Sequence, residues 1–212
     1  MALPKLNKLL LQGLTENGIT ELKPIQEKIF SRVNGGTSFY LLGEEGLGKK
    51  TGLIISVLQR LNYSQPDTPR VIVMASTSDD AREIYDKFRL YAKYMDLQIH
   101  LIVEEGLMDS QNMAIYAGAD LIIATPVRLT KLYFQCGINI NKVNLLVLES
   151  ANKFVENRQL VELDRMTDSF PKFQTVVLEK ELNPRMKKAC DKFMPYAQEL
   201  IAKPEKTVEE LF

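Results

Sequence analysis

The sequence has no tryptophan, one histidine and two cysteines among 212 residues. Cys136 and Cys190 lie far apart with no CxxC spacing, so neither a disulfide framework nor a zinc site is expected, and a reducing compartment fits. His100 stands inside an apolar run and reads as a strand residue rather than a ligand. Excess charge of either sign is also missing, because 27 basic residues balance 27 acidic ones. That balance excludes attraction to nucleic acid or an acidic membrane through a whole-molecule field. Any RNA site must be a local patch, and sequence-specific DNA binding is not expected. No apolar run approaches the length of a membrane span. Lysines precede three leucines near the start, as in a signal peptide, yet Gln12 and Gly13 cut the run, and Leu6, Leu9, Leu10 and Leu14 recur at helical spacing. The expected location is the cytoplasm.

What is present is ordinary globular composition, 45% hydrophobic and 25% charged, in a chain long enough to bury one core. Short apolar runs at 39–42, 71–76, 99–103, 121–125, 143–148 and 175–178 alternate with helical patterns. The helices are expected near 6–14, 24–33, 52–61, 79–95, 110–116, 129–135, 158–166 and 183–194, with a polar turn after residue 148. Strands that alternate with crossover helices imply a doubly wound α/β domain, a mostly parallel sheet covered on both faces. One such domain is expected over 1–204, followed by a tail, 205–212, that frays or docks a partner. Ligands then bind beyond the carboxyl ends of the strands, where loops 43–50, 75–80, 125–128, 149–152 and 178–181 fall.

The first of these loops follows the apolar run 39–42 and precedes an amphipathic helix. It carries Gly43, Gly46, Gly48, Lys49 and Lys50. Glycines there let backbone N–H groups turn around phosphates, and a lysine reaches the outer ones. The phosphate-loop pattern fits through Lys49 and breaks at the next position. Where a hydroxyl should ligate magnesium stands Lys50, and Thr51 comes one residue late. Lys50 brings a second positive charge to that position, while Glu44 and Glu45 set negative charge beside any polyphosphate. Two readings stay open: a nucleotide-binding loop, or a glycine turn that comes with the fold and is empty.

Taken in order, these loops resemble the first RecA-like domain of a DEAD-box RNA helicase, over nearly the whole chain. KPIQ resembles the family's Q motif, which implies that Gln26 reads the adenine edge, with Leu3 the nearest candidate to stack on the ring. The resemblance implies RNA contacts at Thr77, Gly106, Thr125 and Arg128, although Ser78 stands where the family has an RNA-holding arginine. The bland reading of the last two is that Thr125 and Pro126 cap a helix whose solvated face carries Arg128. Tyr85, Tyr91 and Tyr94 read as packing residues, and the pair Glu104 and Glu105 as a solvated face.

The family's namesake motif should follow 145–148, where the chain reads Glu149, Ser150, Ala151, Asn152. In active members its first Asp holds magnesium through water and the next Glu orients the attacking water. Ser150 cannot act as that carboxylate. The Ser-Ala-Thr coupling motif is replaced by Glu179, Lys180 and Glu181. The resemblance therefore implies ATP or ADP as ligand, without an expectation of magnesium, in a domain that binds nucleotide, RNA or protein but does not hydrolyse ATP. Its alternative is an ATP-binding helicase half whose second RecA-like domain is supplied in trans.

Overall fold

In a computed structural model, residues 6–65 and 67–204 are described. Leu3 and the tail after residue 204 therefore lie outside the described residues. Seven strands form one sheet: β1 (Phe39–Leu42), β2 (Val71–Ala75), β3 (Ile99–Ile102), β4 (Leu121–Ala124), β5 (Leu145–Glu149), β6 (Gln174–Glu179) and β7 (Gln198–Ile201). Their order is β3-β4-β2-β5-β6-β1-β7, and every pairing is parallel. The expected doubly wound α/β fold is found, and all strand carboxyl ends lie at one rim.

Side-chain alternation divides the core into two layers. Phe39, Leu41, Val71, Val73, Leu145, Val147 and Val176 face one layer, built with α1 (Lys8–Glu16), α2 (Pro24–Asn34), α3 (Lys49–Leu61) and α4 (Ser78–Tyr91). Tyr40, Ile72, Met74, Leu146, Leu148 and Val177 face the other. That layer is covered by α5 (Met108–Ala117), α6 (Pro126–Lys131), α7 (Asn152–Glu156), α8 (Leu160–Ser169) and α9 (Pro184–Cys190). Burial on both faces is why the five interior strands read as near-continuous apolar runs, while β3, at one edge, is half-buried at His100 and Leu101. A π-helical turn over Leu132–Cys136 extends α6.

Three expectations need correction. The strand β7 was not expected, because as an edge strand it buries only Leu200 and attaches through backbone pairing with β1. The polar turn after β5 contains α7. Arg158, at φ 58°, stops chain continuity between α7 and α8, so α8 starts at Leu160. The last helix ends at Cys190 rather than near residue 194. His100 lies in β3, and its Nε2 is 2.7 Å from the Gly118 carbonyl. Tyr85 and Tyr91 pack against the first layer. Among the described residues no helix is long and apolar enough to cross a membrane.

Candidate nucleotide site and its rim

The loop between β1 and α3 turns through glycines at positive φ, 131° at Gly43, 79° at Gly46 and 83° at Gly48. A Cβ on Gly43 would come within 2.5 Å of the Ala202 carbonyl, so the loop lies directly against the end of β7. Gly48 starts α3 without a side-chain cap, which leaves the first amides of a 13-residue helix free to meet an anion. The cleft in front of them has a volume of about 300 Å³ and is lined by Lys49, Lys50, Thr51, Glu149, Ser150 and Glu179, among others.

Lys49 is buried, and its ammonium donates to the carbonyls of Gly43 and, at 3.0 Å, of Glu179. Burial pulls its pKa below the usual lysine range, against the nearby Glu179, Glu45 and Glu44. A phosphate would replace those two carbonyls as its acceptor. Glu44 is offset by Lys180 at 2.9 Å, which softens the acidic flank of the loop.

Lys50 reaches across to the end of β5. Its Nζ is 2.8 Å from Oε1 of Glu149 and 3.7 Å from Glu83. Burial alone would lower its pKa, but the hydrogen bond and charge of Glu149, with Glu83 and Glu45, outweigh that and raise it. Glu149 is 1% exposed, and its Oε2 has no hydrogen-bond partner among the described residues. The residues present do not fit a magnesium ion. An ammonium, which has no lone pair to donate, holds both the position of the ligating hydroxyl and the carboxylate that would hold the metal.

Ser150 follows at φ 50°, with a hydroxyl where a carboxylate would be needed. Asn152 keeps a physical connection that its sequence context concealed. Its backbone N–H donates to Glu179 Oε2 at 2.8 Å, and its Nδ2 donates to the Glu181 carbonyl at 2.7 Å. Its Oδ1 accepts from the Asn183 N–H at 2.8 Å. The letters of the coupling motif have gone, yet the loops after β5 and β6 are still bonded to each other.

Gln26 is buried at the start of α2. Its Oε1 accepts from the Lys23 N–H at 2.9 Å and its Nε2 donates to the Gly48 carbonyl at 3.2 Å. The amide thus caps its own helix and ties it to the phosphate loop.

The four RNA candidates cluster less openly than expected. Thr77 caps α4: its hydroxyl accepts from the Asp80 N–H at 3.2 Å and donates to Asp80 Oδ2 at 2.8 Å. Thr125 makes no side-chain cap; its hydroxyl donates to Glu104 Oε2 at 2.7 Å. Arg128 does not lie free on a solvated face. It donates to the carbonyls of Val103 at 3.0 Å, Glu104 at 2.9 Å, and Gly106. A Cβ on Gly106 would meet Gln111 Nε2 at 2.0 Å, so a larger residue there would displace the Gln111 amide from the Val103 carbonyl to which it donates. Glu104 also accepts from Ser78 at 3.3 Å, and Glu105 pairs with Arg82 at 3.5 Å. Glu104 is therefore a hub of this rim rather than a solvated charge. Its place beside Gly106 was the available signal. Glu83, four residues before Lys87 on α4, is the other site residue that the sequence did not single out.

The profile of the DEAD/DEAH box helicase family matches residues 23–178. The ATP-dependent RNA helicase DBP5 of Debaryomyces hansenii is 27% identical over 200 residues, which cover 92% of this chain and 40% of that protein. The ATP-dependent RNA helicase ddx54 of Dictyostelium discoideum is 27% identical over 162 residues, 74% of this chain and 15% of that one. A DEAD box protein from Methanococcus jannaschii superposes with a TM-score of 0.86 at 16% identity, over 94% of this chain and 55% of its own. Dbp5 of S. cerevisiae gives 0.83 at 20% identity, over 96% and 54%. The chain thus spans about half or less of the proteins it matches, and the structural likeness is one of fold.

Proposed function

The chain belongs to the DEAD/DEAH box helicase family, and within it we propose that this domain binds ATP or ADP at loop 43–50 without hydrolysing ATP or unwinding RNA. The observation that carries the reading is the Lys50–Glu149 ion pair of 2.8 Å in the place of a metal–carboxylate pair. Phosphoryl transfer to water needs a placed cation on the leaving phosphates and a placed nucleophile. Lys50 supplies charge but no coordination that aligns water, and Ser150 supplies no carboxylate. Gly43, Gly46, Gly48, Lys49 and the first amides of α3 would hold the phosphates, and Thr51 lines the same cleft. Gln26, tied to Gly48, would present the purine-facing side.

The rim binds RNA weakly in this reading, because the hydroxyls of Thr77 and Thr125 already donate to carboxylates of this chain and three of the five donors of Arg128 are held by backbone carbonyls. The domain then works by what it docks, RNA or a protein, rather than by turnover. A second reading is a helicase half completed in trans. It is supported by the Asn152–Glu181 bond that joins the loops after β5 and β6.

Both readings meet in one experiment, phosphate release from ATP with and without single-stranded RNA, run beside ADP binding by calorimetry. The proposal expects ADP binding and no release above background. RNA-stimulated release once a second RecA-like domain from a relative is added would favour the second reading and remove the first.

A further inference from the structure

Resting on the nucleotide binding proposed above, we propose that this cleft takes a nucleoside di- or triphosphate free of divalent metal, with the Lys50 ammonium as its built-in cation. The geometry carries this in three steps. The metal position is closed: Lys50 Nζ is 2.8 Å from Glu149 Oε1, and Glu149 is buried at the end of β5. A magnesium ion demands oxygen ligands at short range, and here it would meet a fixed cation instead.

Lys50 also has a donor to spare. An ammonium carries three N–H groups. One lies on Glu149, Glu83 is 3.7 Å away, and the side chain is one-third exposed to the cleft. It can therefore reach a phosphate oxygen without leaving Glu149, so that the carboxylate positions the cation as a metal-holding carboxylate would.

Charge selects in the same direction. Four lysines and four glutamates line the cleft, Lys49, Lys50, Lys87 and Lys180 against Glu45, Glu83, Glu149 and Glu179. A metal-complexed nucleotide would bring two further positive charges beside Lys50. A bare polyphosphate brings only the anionic oxygens that Lys49, Lys50 and the α3 amides match. Magnesium then acts against binding, by sequestering the nucleotide in a form whose metal meets the fixed Lys50 ammonium.

The test is calorimetric titration of ADP and ATP into the full chain, in EDTA and in excess magnesium, with Lys50→Gln and Lys50→Arg beside the wild type. Binding is expected in EDTA and is weaker in magnesium. Loss of one charge-assisted hydrogen bond in Lys50→Gln lowers the EDTA affinity by about tenfold, and Lys50→Arg retains it. Should Lys50→Gln not fold, the magnesium dependence of the wild type and of Lys50→Arg still decides. Binding that requires magnesium, or that is unchanged in folded Lys50→Gln, overturns the metal-free proposal and leaves nucleotide binding standing. No binding in either condition overturns the nucleotide reading itself.

Discussion

The Lys50 ammonium is 2.8 Å from one oxygen of Glu149, while the other oxygen of that carboxylate is buried without a hydrogen-bond partner among the described residues. Each residue compensates for the other: the lysine neutralises a carboxylate taken out of water, and the carboxylate keeps the lysine charged. The cost of separating them follows from burial. Removing one partner of a fully buried pair costs about 3–5 kcal/mol, and exposure of Lys50 reduces that.

Lys50→Ala is accordingly expected to destabilise the domain by about 1–3 kcal/mol, because Glu149 is left buried and unpaired. The double variant Lys50→Met/Glu149→Leu should recover most of the loss. Urea denaturation of the wild type, Lys50→Met, Glu149→Leu and the double variant measures the coupling. A double variant no more stable than Lys50→Ala would contradict the pairing.

A second buried carboxylate contributes to the acid branch of stability. Asp120 is fully buried, and burial alone would raise its pKa. Backbone N–H bonds from Gln65 and Gln98, with Arg70 and Ser64, outweigh this and hold it below the ordinary value of 3.8. A folded pKa below the unfolded one contributes stability that is present above about pH 3.8 and is lost as pH falls through the folded value. Asp120→Asn should cost about 2–4 kcal/mol at pH 7 and flatten the acid branch of the stability curve. Denaturant midpoints taken from pH 7 to pH 3 test both parts.

At the rim, Glu104 is expected to oppose RNA. Glu104→Gln keeps an acceptor for Thr125 but removes a negative charge from the face where the backbone would lie. Affinity for a single-stranded oligonucleotide should rise about threefold to tenfold at low salt, with the gain shrinking as salt is added. Fluorescence anisotropy at two salt concentrations measures it, and an unchanged affinity would remove Glu104 as the obstacle.

Arg128 is expected to act on structure before ligand. Its guanidinium holds the carbonyls of Val103, Glu104 and Gly106, so Arg128→Ala releases that turn and costs about 1–3 kcal/mol. Amide hydrogen exchange should quicken over 103–107 without RNA present. Unaltered exchange there, with RNA affinity lost, would show instead a direct contact.

The five interior strands were legible because two-sided burial writes itself as apolar runs, β3 at one edge was legible from its own short apolar run, and the rim loops followed from their parallel order. β7 was not, since an edge strand held by backbone pairing buries one side chain, Leu200. Within the site, the substitution at Lys50 was visible in the phosphate loop, and Glu149 was visible in its own motif. Their pairing was not, because it joins the start of α3 to the end of β5 across the sheet. The same holds for Asn152. Its amide meets Glu179 and Glu181 only through parallel packing of β5 and β6, so a bond between the two loops could not be read from residue types that differ from the motif.

A lysine in the metal position leaves no site for a divalent ion, and manganese reports on that position directly through paramagnetic resonance. The full chain should be titrated with Mn²⁺ in the presence of ADP, and the free-ion signal compared with that of ADP alone. The account predicts no protein-dependent loss of signal. Uptake of one Mn²⁺ per chain together with the nucleotide would contradict it.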